Sequence, residues 1–90
     1  MIYITHIRLN PPTSSRHEHI THVAWDEYGS SKTGVLTRQE AVDWIRGGGE
    51  ARVHGNPYDV KVLVVEAQPP YIRTAANGTY TDNLLSLPRY

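Results

Sequence analysis

The chain has 90 residues, and its nine lysines and arginines balance its nine aspartates and glutamates, so the formal net charge is zero. A chain of this length forms one domain, residues 1–90, with room for a shallow surface site but not for a deep cavity. Zero net charge argues against a nucleic-acid partner, because duplex-DNA binders gain affinity by neutralising phosphates. It is compatible with a homo-oligomer, because low net charge favours association.

The sequence contains no cysteine and no long apolar run. Without cysteine there can be no disulfide, no thiol catalysis and no zinc site built on thiolates. No apolar segment approaches the ~20 residues of a membrane-spanning helix, and the first ten residues lack the pattern of a signal peptide. The sequence therefore predicts a soluble cytoplasmic protein without a membrane partner.

The first third of the chain has the composition of β-strands. Residues 1–9, MIYITHIRL, are rich in β-branched side chains and predict a strand. The prolines of residues 10–15 end it, because proline cannot continue a hydrogen-bonded ladder. Residues 17–25, HEHITHVAW, predict a second strand antiparallel to the first, and residues 26–34 predict a polar loop.

A helix is predicted to begin at Thr37. Glu40 follows three residues later, which is the capping-box arrangement in which each side chain bonds the backbone amide of the other residue. Glycines 47–49 end the helix, because glycine adopts a left-handed cap without steric cost. The apolar side of this helix is supplied by Ala41, Val42, Trp44 and Ile45.

The second half of the chain predicts further strands. Residues 50–55 form a short one, and residues 60–67 are apolar on both alternating faces, which is typical of a strand covered on both sides. Residues 71–74 and 79–81 flank an Asn-Gly turn and predict a hairpin. The tail is predicted to dock across the sheet through Leu84, Leu85 and Leu87.

The predicted order β-β-α-β-β-β with short connections indicates an α+β domain. We expect a single, mostly antiparallel sheet with one helix packed on one face. Trp25 and Trp44 are predicted to belong to the core, because tryptophan is on average a highly buried residue.

Three histidines fall within residues 17–22 and raise the question of a metal site. The helical metalloprotease pattern His-Glu-x-x-His fails here, because Thr21 stands where the second histidine is needed. On a strand His17 and His19 would share a face, but nothing aligns a third ligand from His6, His54 or Asp82 with them. We therefore predict no metal and no cofactor, and we are left with structural histidines or with a surface for a ligand or partner.

A second polar cluster is predicted in the closing hairpin. Arginine offers a planar fork for phosphate or carboxylate, and tyrosine offers a flat surface for stacking. If the hairpin lies near the histidine segment, the two would form one surface suited to an anionic planar ligand such as a nucleotide. Alternatively, Arg73 pairs with Asp82 or Glu18, and Asp82 and Asn83 cap the tail. The predicted ligand-binding residues are His17, Glu18, His19, Tyr71, Arg73, Thr74, Tyr80, Asp82 and Asn83.

The function that these clusters favour is that of a small binding module for an anionic ligand or a protein partner. A phosphodiester-type hydrolase with His17 or His19 as base is an alternative, but the chain has no nucleophile motif, phosphate loop or complete metal set. Whether the protein is an enzyme stays open, and the missing motifs favour a non-enzyme. A weak nucleic-acid binder that stacks bases on Tyr71 and Tyr80 of the sheet is a third hypothesis.

Several segments resemble a family of small bacterial and phage proteins known as domain of unknown function 3892. The shared elements are His-Glu-His-Ile at 17–20, Thr-Arg-x-Glu at 37–40, Tyr-Ile-Arg-Thr at 71–74 and Asp-Asn-Leu-Leu-x-Leu-Pro at 82–88. The family commonly has Ala-Asp-Gly in the turn where this chain has Asn77, a change with little consequence for the backbone. The family carries no established activity, so the resemblance supports the fold boundaries and implies no chemistry.

Overall fold

The structure is a computed structural model that describes residues 1–55, 59–74 and 84–90. A single turn of 3-10 helix, His17–His19, lies between the first two strands, and we call it the histidine turn. The other elements are β1 (Ile2–Leu9), β2 (Ile20–Glu27), β3 (Thr33–Thr37), α1 (Arg38–Arg46), β4 (Ala51–Val53), β5 (Val60–Val65) and β6 (Tyr71–Thr74).

The strands form a single six-stranded sheet in the order β3-β2-β1-β4-β5-β6. The α+β class and the single helix are as predicted, but the sheet is mixed, because β4 pairs with β1 in parallel. The parallel pair follows from the connection β3-α1-β4, since a helical crossover returns the chain in its original direction. The predicted strand at 79–81 lies outside the described residues.

The predicted loop at residues 26–34 was placed too broadly. β2 continues to Glu27, and β3 pairs with it from Thr33 onwards, so a strand was missed. The turn between them contains Gly29 at φ +78°, where a side chain would be strained. Gly34 lies directly beneath the Trp25 ring, where a Cβ would stand 2.6 Å from the indole. Trp25 packs against the core, as predicted.

The helix begins as predicted. The Thr37 hydroxyl accepts a hydrogen bond from the Glu40 amide at 3.1 Å, and the Glu40 carboxylate accepts one from the Thr37 amide at 2.9 Å. Gly48 ends the helix at φ +97°. The prediction that Trp44 belongs to the core is wrong, because its side chain is 43% exposed and lies across Gly49 on the surface.

The core lies between α1 and one side of the sheet, which we call the inner face. On β5, Val60 and Val62 are buried, whereas Lys61 and Leu63 are exposed on the opposite, outer face. The prediction that this strand is covered on both sides is therefore wrong. The core is formed by Ile2, Ile4, Ile7, Leu9, Ile20, Val23, Ala41, Val42, Ala51, Val53, Val62, Ile72 and Leu84.

The tail docks on the sheet as predicted. Leu84 is fully buried, and Leu85 and Leu87 pack against the core. The backbone then runs beside β1, where the Ile7 amide donates a hydrogen bond to the Pro88 carbonyl at 3.0 Å. No helix among the described residues is long and apolar enough to cross a membrane.

Candidate functional site

The histidine segment does not begin a strand, as the sequence had predicted. His17–His19 form the histidine turn, and β2 starts only at Ile20. The turn is fixed by hydrogen bonds from the His19 amide to the Arg16 carbonyl, and from the Asn10 amide to the His19 carbonyl. Because these residues are not extended, strand alternation does not place His17 and His19 on one face.

Two side chains of the histidine turn are engaged by their sequence neighbours. The His19 ring shares a hydrogen bond with the Ser14 hydroxyl at 2.6 Å, and the Glu18 carboxylate pairs with Arg16 at 2.7 Å. The backbone amide of Glu18 and then the Arg16 guanidinium lower the pKa of the Glu18 carboxyl. Arg38, the first residue of α1, donates to the Glu18 carbonyl at 2.9 Å. The predicted alternative that Arg73 pairs with Glu18 is therefore wrong, because Arg16 holds this carboxylate.

The histidine turn lies against β6. The structure thus brings the segment His17–His19 next to the strand that carries Tyr71, Arg73 and Thr74, although the two are far apart in sequence. Their proximity was the geometric condition on which the predicted surface depended. The remaining predicted site residues, Tyr80, Asp82 and Asn83, lie outside the described residues.

The side chains of β6 alternate between the two faces of the sheet. Ile72 is buried and pairs with Val64, so Tyr71 and Arg73 project from the outer face. Thr74 shares the inner face with Ile72. The predicted site residues of this strand are therefore divided, and only Tyr71 and Arg73 are placed to meet a ligand on the outer face.

Arg73 differs from the other arginines in its contacts. It is exposed, and within residues 1–55, 59–74 and 84–90 it is the one arginine whose guanidinium makes no hydrogen bond or ion pair. Three arginines form ion pairs with glutamates: Arg16 with Glu18, Arg46 with Glu66, and Arg52 with Glu50. Three others donate hydrogen bonds to backbone carbonyls, namely Arg8, Arg38 and Arg89.

A second cluster on the outer face was missed by the sequence analysis. The rings of Tyr3 and His54 stack with centroids 3.7 Å apart and planes 11° apart. The Tyr3 hydroxyl donates to Asp59 at 2.6 Å, and His54 Nδ1 lies 3.8 Å from the same carboxylate. Tyr28 meets Tyr3 edge-on. Only the parallel pairing of Tyr3 with Arg52 places His54 over Tyr3, and no sequence signal indicated this pairing.

The hydrogen bond between Tyr3 and Asp59 shifts both titrations. It lowers the pKa of the Asp59 carboxyl and raises the pKa of the Tyr3 hydroxyl, because it favours the carboxylate and the neutral phenol. Because the pKa of the Asp59 carboxyl is lower in the folded state, the bond stabilises the fold at pH values above the unfolded pKa. This contribution is lost as the pH falls through the folded pKa. The pKa of the Tyr3 hydroxyl is higher in the folded state, so its contribution to stability is present at pH values below the unfolded pKa. It is lost as the pH rises through the folded pKa.

We expect Tyr3→Phe to lower stability at about pH 7, and we expect this difference from the natural protein to shrink as the pH falls through the folded pKa of Asp59. Urea denaturation over a series of pH values measures it, and NMR titration should show a higher Asp59 pKa in the variant. Phenylalanine retains the ring that stacks on His54, so the comparison isolates the hydroxyl. An unchanged Asp59 titration in the variant would contradict the assigned cause.

A protein-family model described as "Protein of unknown function (DUF3892)" matches residues 3–88. The chain belongs to this family. No curated protein and no solved structure matches it. The family resemblance inferred from the sequence is thus confirmed over nearly the whole chain.

The segments by which this family was recognised have different structural roles in this chain. Residues Thr37 and Glu40 form the capping box of α1, and residues 84–87 contribute leucines to the core. The histidine turn and β6 are the segments that meet in space; the residues of the turn are half-buried, and Arg73 of β6 is exposed. Within the described residues, no group of three or more His, Asp or Glu side chains could hold a metal ion.

Proposed function

We propose that this member of the DUF3892 family is a small binding module that captures an anionic ligand on the outer face of β6, with Arg73 as its anchor. The observation that carries the proposal is the unpartnered guanidinium of Arg73 in the described part of the chain. A guanidinium presents a fork of donors that matches phosphate and carboxylate oxygens.

The surroundings of Arg73 suit a ligand that is anionic and partly apolar. Leu63 lies opposite it on β5 and is 37% exposed, and Tyr71 lies two residues away on the same face. Lys61, two residues from Leu63, is exposed and adds a second cation to this face. The ligand would meet charge together with apolar surface, as small-molecule sites usually offer.

The exposure of Lys61, Leu63 and Arg73 to solvent limits the affinity that this surface can provide. An exposed ion pair contributes only ~0–1 kcal/mol, and burial of the ligand against Leu63 and Tyr71 must supply the rest. We therefore expect dissociation constants of about 0.1–1 mM for simple phosphorylated ligands, which correspond to roughly 4–5.5 kcal/mol. A protein partner that presents a phosphate or carboxylate would use the same arginine.

We expect Arg73→Ala to abolish the binding of inorganic tripolyphosphate, measured by isothermal titration at constant ionic strength. The guanidinium is the main contact in the proposed site, so its loss removes the charge and the fork together. Arg73→Lys should bind more weakly than the natural protein, because lysine keeps the charge but loses the two-pronged geometry.

Arg46→Ala is the matched control. It removes an equal charge from an arginine that already pairs with Glu66 at another place on the surface. The control should bind tripolyphosphate as the natural protein does. Binding that survives in Arg73→Ala, or that falls equally in Arg46→Ala, would show that the proposed anchor is wrong.

A further inference from the structure

The stacked pair of Tyr3 and His54 presents an open aromatic surface at one end of the outer face. The His54 side chain is 68% exposed, whereas Tyr3 beneath it is half-buried. The Tyr3 ring is fixed by the bond from its hydroxyl to Asp59 and by edge-on contact with Tyr28. His54 therefore rests on a support that is already ordered, so a ring that stacks on it needs to order little more.

The register of the strands places this stack on the same face as two cations. Tyr3 pairs with Arg52 and Arg52 with Lys61, so these three side chains form a row across β1, β4 and β5. Arg73 lies one strand further, opposite Leu63. From strand spacing and rise, the Cα of His54 lies about 8 Å from that of Lys61 and roughly 16 Å from that of Arg73.

The outer face carries a negative charge beside the aromatic stack and positive charges further along it. Asp59 stands beside the stack, so a phosphate placed there would be repelled. Arg52, the nearest cation to the stack, is already paired with Glu50 at 2.8 Å. Lys61 and Arg73 lie further along the face, so the uncharged, planar end of a ligand fits at His54 and its anionic end fits at β5 and β6.

We propose that the outer face binds a free nucleoside di- or triphosphate, with the base stacked on His54 and the phosphates held by Lys61 and Arg73. This inference rests on the proposed function and names the class of ligand. The separation of the stack from Arg73 requires a phosphate chain that extends away from the base. Two cations suit a short phosphate chain, and the zero net charge of the protein disfavours a nucleic-acid strand.

The test compares adenosine triphosphate with its two halves, adenosine and inorganic tripolyphosphate, by isothermal titration at constant ionic strength. Adenosine triphosphate should bind at least tenfold more tightly than either half. His54→Ala should weaken adenosine triphosphate about tenfold and leave tripolyphosphate unchanged, because stacking is a contact of the base alone. His54→Phe should restore the affinity, since it replaces the ring and removes only the imidazole nitrogens.

His6→Ala is the control for a general effect of losing an exposed histidine from the outer face, and it should bind as the natural protein does. If tripolyphosphate binding depends on Arg73 but His54→Ala changes nothing, the stacking inference is wrong and the proposed function stands. If no phosphate compound depends on Arg73, the proposed function fails first. Tighter binding of a short single-stranded oligonucleotide than of adenosine triphosphate would also overturn the inference.

Discussion

Replacing Ile72 with alanine is expected to destabilise the protein by about 2–5 kcal/mol. Ile72 is fully buried on β6, pairs with Val64 and belongs to the core beneath α1. Truncation removes buried methyl groups and leaves a cavity that the neighbours fill only in part. A domain of this size has a total stability of only ~5–10 kcal/mol, so the loss should be visible as a large fall in the urea midpoint.

Leu63→Ala is the matched control for this prediction. Leu63 lies on the neighbouring strand but projects from the outer face, where it is 37% exposed. Its truncation should cost clearly less than that of Ile72, roughly 1–2 kcal/mol, because more than a third of the residue already contacts water. Equal losses for Ile72→Ala and Leu63→Ala would contradict the assignment of inner and outer faces on which the proposed site depends.

Gly34→Ala is expected to cost about 1–3 kcal/mol, although glycine is usually a poor strand residue. The added Cβ would stand 2.6 Å from the Trp25 ring, so the indole or the β3 backbone must move. Trp25 packs against the core, which limits how far its ring can shift. Urea denaturation of the variant measures the cost.

A double-mutant cycle with Trp25→Leu identifies the cause. In that background the added methyl group meets no indole, so Gly34→Ala should be neutral or stabilising, as expected for alanine over glycine in a strand. A cost that stays the same without the indole would mean that backbone conformation, not the contact with Trp25, requires glycine at this position.

The helix start illustrates what local sequence determines. Thr37 and Glu40 interact across three residues, so the capping box could be predicted without knowing where the helix packs. The leucines of the tail were likewise correctly predicted to dock on the sheet. These features depend on local composition and on contacts between near neighbours, which the order of residues specifies directly.

The histidine segment shows where such patterns fail. Its composition favoured a strand, but hydrogen bonds to Arg16 and Asn10 close it into a turn before β2 begins. The apolar pattern of β5 also led to a wrong prediction, namely that the strand is covered on both sides. A run of apolar residues does not reveal whether a second layer packs on the strand. A pattern of side chains indicates that a face can be buried, whereas the packing of other elements decides whether it is.

The sequence by itself determined the α+β class, the helix with its caps and the family. The tertiary structure alone decided that the histidine turn lies against β6, that Arg73 is left without a partner in the described part of the chain, and that His54 stacks on Tyr3. Each of these depends on strand order and on the parallel pairing of β1 with β4. Such contacts join residues far apart in the chain, and they form only when the whole sheet is assembled.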